Sequence, residues 1–167
     1  MIVIVNKQKI YLETTLFNYY FDAERDAHTD VVALFEECAA GKHEPYTSDY
    51  AVIEIEDASA ERREKMIGLI GQYGITVLPA SKEADKLAMK YIAEGALPKG
   101  SLTDAMHIAI ASINNLDKIV SLNFRHIVKA KTVRLTGAIN TLFGYCPIDI
   151  ETPMEMIEDE KTRYNFG

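Results

Sequence analysis

The feature that most constrains the fold is the run SLTDAMHIAIASINNLDKIVSLNFRHI, from Ser101 to Ile127. Its first half predicts a helix with one acid, Asp104, in the first turn and an almost wholly apolar remainder. A helix that is apolar on most of its circumference belongs in a protein interior. A short turn then leads into an apolar strand that ends at Asn123. The run therefore predicts a buried helix and a following strand, with an acid at the mouth of the helix.

Strands and helical stretches alternate along the rest of the chain. The expected strands are residues 1–5, 10–12, 43–47, 75–78, 119–122, 131–135 and 148–150. Strands separated by helices favour a mainly parallel sheet that helices cover on both faces. We therefore expect a single domain over residues 1–167, a three-layer α/β/α sandwich with its core at about residues 10–152. Residues 153–167 are expected to form a short helix and then to fray.

Composition narrows the class of protein. The net charge of -7 argues against binding to nucleic acid through phosphate contacts over the whole surface, because such proteins are usually basic. An RNA substrate would need a local basic patch or bound metal ions. No apolar run is long enough to span a membrane, and no signal segment is expected. Cys38 and Cys146 lack metal-ligand or redox spacing, so we expect reduced thiols and a cytoplasmic location.

Polar residues are expected to meet at one edge of the sheet. Glu13 closes the first long strand, and Asn123 closes the strand after the buried helix. In a right-handed crossover the helix that carries Asp104 begins near that same edge. Glu54 or Glu56, from the helix after Ser48, is placed to join them, and helical periodicity leaves this choice open. Open α/β sheets place their sites at this carboxyl edge.

Four stretches together resemble the PIN-domain family of metal-dependent ribonucleases, which includes VapC-like toxins of type II toxin–antitoxin pairs. They are IYLETTLFNYY, TSDYAVIEI, SLTDAMHIAIA and IVSLNFRHI. The resemblance runs from about Ile10 to Ile150. It is strongest to a subgroup with glutamate after the first strand, Asn-Phe after the fourth, and a terminal GYxxIxIxTP, present here from Gly144 to Pro153.

The resemblance implies a cluster of acids that holds Mg²⁺ or Mn²⁺ and a metal-activated water that attacks an RNA phosphodiester. The implied metal ligands are Glu13, Glu54 and Asp104, and Asn123 is the fourth catalytic position. Of the two glutamates left open by periodicity, the family spacing selects Glu54. The resemblance also implies an antitoxin partner and a homodimer. Mg²⁺ suits such a site because it takes hard oxygen ligands in octahedral geometry.

Two positions depart from the family pattern. Glu13 stands where an aspartate is usual, and its longer side chain shifts the carboxylate in a site of nearly fixed geometry. Asn123 stands where active members commonly carry aspartate, and an amide brings no charge. A second metal ion is then disfavoured. The alternative function is therefore a degenerate PIN domain that binds RNA or a protein without cleavage. A phosphatase is rejected, because no paired-aspartate motif follows the first strand.

Each candidate residue also has a purely structural interpretation. Ser101 and Asp104 have the S-x-x-D spacing of a capping box at a helix start. Asn123 could satisfy backbone groups in a turn, and His107 fits a hydrogen-bonded core histidine. Thr14 or Thr15, and Ser48, are expected to cap helices. The order and spacing of the four family positions favour the metal-site role for Asp104.

A group of basic residues lies near the expected edge: Lys99, Arg125, Lys129, Lys131 and Arg134. Lys99, Arg125 and His126 are the expected contacts to RNA phosphates. No aromatic residues are interleaved with them, so the pattern does not predict base stacking. The structural alternative for Arg125 and His126 is a solvated helix start.

Overall fold

The computed structural model describes residues 7–157. Within them five strands form one sheet, and every pair of neighbouring strands is parallel. The strands are β1 (Gln8–Leu12), β2 (His43–Ser48), β3 (Thr76–Leu78), β4 (Lys118–Val120) and β5 (Asp149–Glu151). The predicted strand at residues 1–5 and the last residues of the predicted tail lie outside the described range.

Helices connect the strands and cover both faces of the sheet. They are α1 (Thr14–Tyr20), α2 (His28–Ala39), α3 (Asp49–Glu56), α4 (Ala60–Gln72), α5 (Lys82–Ala93), α6 (Leu102–Ile113) and α7 (Ala130–Leu142). Residues 153–157 are also helical, and Thr152 caps them by accepting a hydrogen bond from Glu155 N. No helix within residues 7–157 is long and apolar enough to cross a membrane.

The side chains of β1 alternate between two hydrophobic cores, as the period of a strand requires. Ile10 and Leu12 pack on one face against α1, α2 and α4. Tyr11 packs on the other face, against α5 and α6. All three side chains are fully buried. The predicted three-layer α/β/α sandwich with a parallel central sheet is confirmed.

The buried helix expected from the sequence is α6. Every residue of α6 from Ala105 to Ser112 is buried, and Asp104 is half-buried at its start. Helix α6 packs extensively against α5 and leads into β4, which lies beside β1.

One predicted strand is wrong. Residues 131–135 lie inside α7. The β-branched pair Thr132 and Val133 is typical of a strand. However, Thr132 and Thr136 stand one helical turn apart on the buried side. Thr136 Oγ1 donates to Thr132 O at 2.7 Å, and Thr132 Oγ1 donates to Ala96 O. Hydroxyls that are satisfied in this way allow threonine to occupy a buried helix face.

The strand order β3-β2-β1-β4-β5 reverses beside β1. From β1 the chain first builds outward through β2 and β3, then returns to place β4 and β5 on the other side. Ligand sites of open α/β sheets lie at this reversal, outside the carboxyl ends of the strands. The residues that follow β1 and β4 are therefore the first place to examine for a site.

Candidate metal centre

Glu13 follows β1 directly and is the N-cap of α1, in place of the threonine cap expected from the sequence. Its Oε2 atom accepts hydrogen bonds from Thr15 N at 3.2 Å, from Thr15 Oγ1 at 2.6 Å and from Ser121 Oγ at 2.7 Å. Only 2% of the residue is exposed. Burial raises the pKa of Glu13, and the charge of His107 and the bonds from Thr15 and Ser121 offset part of that rise.

Glu54 reaches the same place from α3. Its Oε1 atom accepts from Thr14 Oγ1 at 2.8 Å and lies 2.5 Å from His107 Nε2. Burial alone raises the pKa of Glu54, but the bond and charge of His107, together with Thr14, lower it below its ordinary value. Glu56, the alternative from the sequence, is exposed at the end of α3. The structure thus brings Glu54, and not Glu56, beside Glu13.

His107 lies on α6 and is fully buried. Burial lowers its pKa, but the bond to Glu54 and the charges of Glu13, Glu54 and Asp104 raise it above its ordinary value. When the imidazole is protonated, both ring nitrogens donate: Nε2 to Glu54 and Nδ1 to the Tyr11 hydroxyl, 2.5 Å away. The Tyr11 hydroxyl then donates to Ser48 Oγ at 2.6 Å. The chain of hydrogen bonds from Ser48 to Glu54 fixes the orientation of the Glu54 carboxylate.

Glu13, Glu54 and His107 form the compact group of this edge. One ligand atom of each lies within 4.8 Å of the others. Within residues 7–157, Oε2 of Glu13 and Oε1 of Glu54 accept hydrogen bonds. The second oxygen of each carboxylate has no hydrogen-bond partner among these residues. Each glutamate is therefore held by one oxygen and offers the other. Two carboxylates this close together suit a hard divalent cation such as Mg²⁺ or Mn²⁺.

Asp104 lies one helical turn before His107, on the same side of α6. Its Oδ1 atom accepts from Asn123 Nδ2 at 3.1 Å, and its Oδ2 lies 2.8 Å from His126 Nδ1. The capping box does not form: Ser101 makes no side-chain cap, its Oγ lies 3.3 Å from His126 Nδ1, and its N donates to Pro98 O. Asp104 is thus built into the site rather than into the helix start.

Asn123 has the turn role considered from the sequence, together with a contact to an acid. Its Oδ1 accepts from His126 N at 3.0 Å, which leaves the amide NH₂ group to face Asp104. The amide oxygen is therefore engaged by the backbone. In this arrangement Asn123 orients Asp104, and its oxygen does not face the carboxylate cluster.

The basic residues expected to contact RNA lie on one side of this centre. Lys99, Arg125 and His126 line one cavity of about 390 Å³, together with Lys129 and Lys131. Arg134 is exposed on α7 and is not part of the lining.

Sequence reasoning did not identify His107, Thr15 or Ser121 as site residues, although each bonds to an acid of the site. The only local signal for Ser121, which meets Glu13 across 108 positions, is its place as a serine at the end of an apolar strand. His107 had a signal, because it lies three residues after Asp104 and the two therefore share a helix face.

No protein-family profile matches this sequence, and no curated protein sequence matches it. Solved structures do match. Mycobacterium tuberculosis VapC20, described as a sarcin-ricin loop cleaving toxin, aligns with a TM-score of 0.53 at 14% identity, over 66% of this chain and 86% of that one.

Two further matches come from structures of complexes with DNA. VapBC2 of Rickettsia felis, bound to a promoter fragment, aligns with a TM-score of 0.55 at 12% identity. DNA-bound VapBC of Salmonella typhimurium aligns with a TM-score of 0.55 at 16% identity. Each match covers 87% of this chain and 98% of the other. The chain therefore has the PIN-like fold of VapC toxins.

Proposed function

We propose that this protein is a PIN-domain ribonuclease that requires Mg²⁺ or Mn²⁺ and hydrolyses RNA phosphodiester bonds. The observation that carries the proposal is the approach of Glu13 to Glu54 at the strand-order reversal, where each keeps one oxygen that no group within residues 7–157 hydrogen-bonds. Glu13 and Glu54 would hold the ion, with Asp104 as the third acid. A divalent ion bound there supplies a water of lowered pKa and shields the charge of the phosphodiester.

One metal ion is favoured over two, because the fourth position holds Asn123, whose amide brings no charge. The protein's own groups hold the acids in place before the ion arrives. Thr15 and Ser121 hold Glu13, His107 and Thr14 hold Glu54, and Asn123 and His126 hold Asp104. Such positioning of ligands typically changes metal affinity or activity about 10–100-fold.

The fold of VapC toxins also supports a role as the toxin of a type II toxin–antitoxin pair in the cytoplasm. We propose an antitoxin partner and a homodimer on the same basis. A small antitoxin-like reading frame beside the gene, whose product co-purifies with this protein, is the expected finding.

A second candidate function is a degenerate PIN domain that binds RNA or a protein without cleavage. The observation that favours it is Asn123, which provides an uncharged amide at the fourth position and directs its oxygen to His126 N. The cleavage assay below separates the two functions.

Purified protein should cleave single-stranded RNA in Mn²⁺ or Mg²⁺ and not in EDTA. Asp104→Asn should lower the rate about 10–100-fold, because both Asp104 oxygens are hydrogen-bonded and the change alters how the acid is held and charged. Gel analysis of labelled RNAs measures both rates. Equal cleavage by the two proteins would identify a contaminating nuclease, and no cleavage by either would support the degenerate alternative.

Divalent cations should stabilise the fold. The clustered carboxylates repel one another without metal, and an ion that binds only the folded state at about 100 times its Kd adds about 2.7 kcal/mol. For a domain of this size that stabilisation raises Tm by roughly 5–10 °C. Differential scanning calorimetry in EDTA, Mg²⁺ and Mn²⁺ measures the shift. A Tm that does not change when millimolar Mg²⁺ or Mn²⁺ is added would exclude the proposed centre.

A further inference from the structure

A cationic cavity adjoins the candidate metal centre. It lies between the loop that joins α5 to α6, the turn after β4 and the start of α7. Its volume of about 390 Å³ falls within the usual range of small-ligand pockets, about 300–1,000 Å³. The site as described so far makes no use of this space.

The charge of the lining is opposite to that of the protein. Lys99, Arg125, Lys129 and Lys131 all line the cavity, and no Asp or Glu within residues 7–157 does. Within residues 7–157 none of these four side chains forms an ion pair with an acid. The chain as a whole carries a net charge of -7. Four exposed cations around one cavity give it a positive potential, which attracts an anion.

The walls of the cavity are fixed by buried hydrogen bonds. Thr132 Oγ1 donates to His126 O at 2.7 Å and to Ala96 O at 3.2 Å, which ties the start of α7 to both other walls. Asn123 Oδ1 accepts from His126 N and so stabilises the turn after β4, which forms one wall of the cavity. Because these walls are already formed, the protein backbone loses little conformational entropy when a ligand binds.

His126 connects the cavity to the centre. It lines the cavity, and its Nδ1 lies 2.8 Å from Asp104 Oδ2. An RNA strand whose reacting phosphodiester lies at the carboxylates therefore places its neighbouring nucleotide beside these cations. Lysine ammonium groups and an arginine guanidinium are the usual partners of phosphate. Within residues 7–157 no Phe, Tyr or Trp side chain lines the cavity, so these residues offer no ring on which a base would stack.

We propose that this cavity is a subsite for the nucleotide next to the scissile phosphodiester, where the four cations hold its phosphate and sugar without reading the base. The proposal rests on the proposed ribonuclease function, which it deepens. Because phosphate contacts carry no direct sequence information, the subsite sets the position of the strand and not its sequence.

The test is binding of a fluorescein-labelled single-stranded oligoribonucleotide in EDTA, measured by fluorescence anisotropy over a range of salt concentrations. The test variant is Lys129→Ala/Lys131→Ala. The matched control is Lys82→Ala/Lys86→Ala, which removes the same charge from exposed positions on α5 outside the cavity. Lys129 and Lys131 are exposed as well, so neither pair of substitutions removes a buried side chain.

The cavity pair should weaken RNA binding about 10-fold. It should also make the negative slope of log K against log salt shallower by about 1.4, since each lost single-strand phosphate contact removes about 0.7. The control pair should bind as the wild type does. Equal losses from both pairs, no loss from the cavity pair, or no binding by the wild type would overturn the subsite. Cleavage is measured separately in Mn²⁺. RNA that is bound in EDTA but never cut in Mn²⁺ contradicts the proposed function, and the cavity then holds a backbone phosphate of bound RNA with no scissile bond beside it.

Discussion

Glu54→Gln should lower metal-dependent RNA cleavage by about 1,000-fold or more, equivalent to about 4 kcal/mol of transition-state stabilisation. Glutamine keeps the size of the side chain, and its amide oxygen still accepts from Thr14 Oγ1 and His107 Nε2, the partners of Oε1. The NH₂ group then stands where the free oxygen stood. The ion loses a ligand and the site loses a charge, while the packing around α3 is unchanged.

Glu56→Gln is the matched control, because it removes the same charge from the same helix at an exposed position. It should cleave at the wild-type rate and keep the Tm shift caused by Mn²⁺, whereas Glu54→Gln loses both. Single-turnover rates with a labelled RNA, measured beside the Tm in EDTA and in Mn²⁺, distinguish the two variants. Equal cleavage rates for the two variants would mean that Glu54 is not a ligand of the metal ion.

The sheet edge of this site was predictable because the rule behind it depends only on strand direction. Parallel strands bring their carboxyl ends together, so Glu13 after β1 and Asn123 after β4 had to lie at the same edge once the helices and strands were assigned. Asp104 followed from the handedness of the crossover. Periodicity did not separate Glu54 from Glu56, because both lie near the polar margin of a short helix. Tertiary packing separates them by placing His107 against Glu54.

The hydrogen bonds that hold the acids were not predictable from local sequence. Ser121 reaches Glu13 across 108 positions, and its only local signal is a serine at the end of an apolar strand. The orientation of the Asn123 amide depends on the backbone N–H of His126, which a turn presents only after folding. The prediction for residues 131–135 failed for a related reason. Strand propensity was read without the tertiary contacts that satisfy two buried threonines in a helix.

His107→Gln should destabilise the metal-free protein by about 3 kcal/mol near pH 6, the lower end of the range for breaking a buried ion pair, because Glu54 is partly solvated. The substitution removes the imidazolium that faces Glu54 and is influenced by Glu13 and Asp104. Urea unfolding in EDTA, followed by circular dichroism, measures the loss. Tyr11→Phe is the comparison variant. It removes the bond to Nδ1 but keeps the pair with Glu54, and it should cost only about 1–2 kcal/mol.

The same residues determine how metal-free stability changes with pH. The pKa of His107 is raised from 6.5, so its contribution is complete below pH 6.5 and is lost as pH rises through the raised value. The pKa of Glu13 is raised from 4.5, so its contribution also declines as pH rises. The pKa of Glu54 is lowered from 4.5, so its contribution is lost only as pH falls through the lowered value.

Metal-free stability should therefore be greatest near pH 4.5 and should fall as pH rises toward 8. His107→Gln should make that decline shallower, since one of its two causes is gone, whereas Tyr11→Phe should keep the wild-type slope. Mn²⁺ should oppose the decline, because an ion at this centre requires Glu13 as a carboxylate and binds more tightly as pH rises. Urea titrations at pH 6, 7 and 8, with and without Mn²⁺, test these slopes. Metal-free stability that rises from pH 6 to 8 would contradict the raised pKa values of His107 and Glu13 on which this prediction rests.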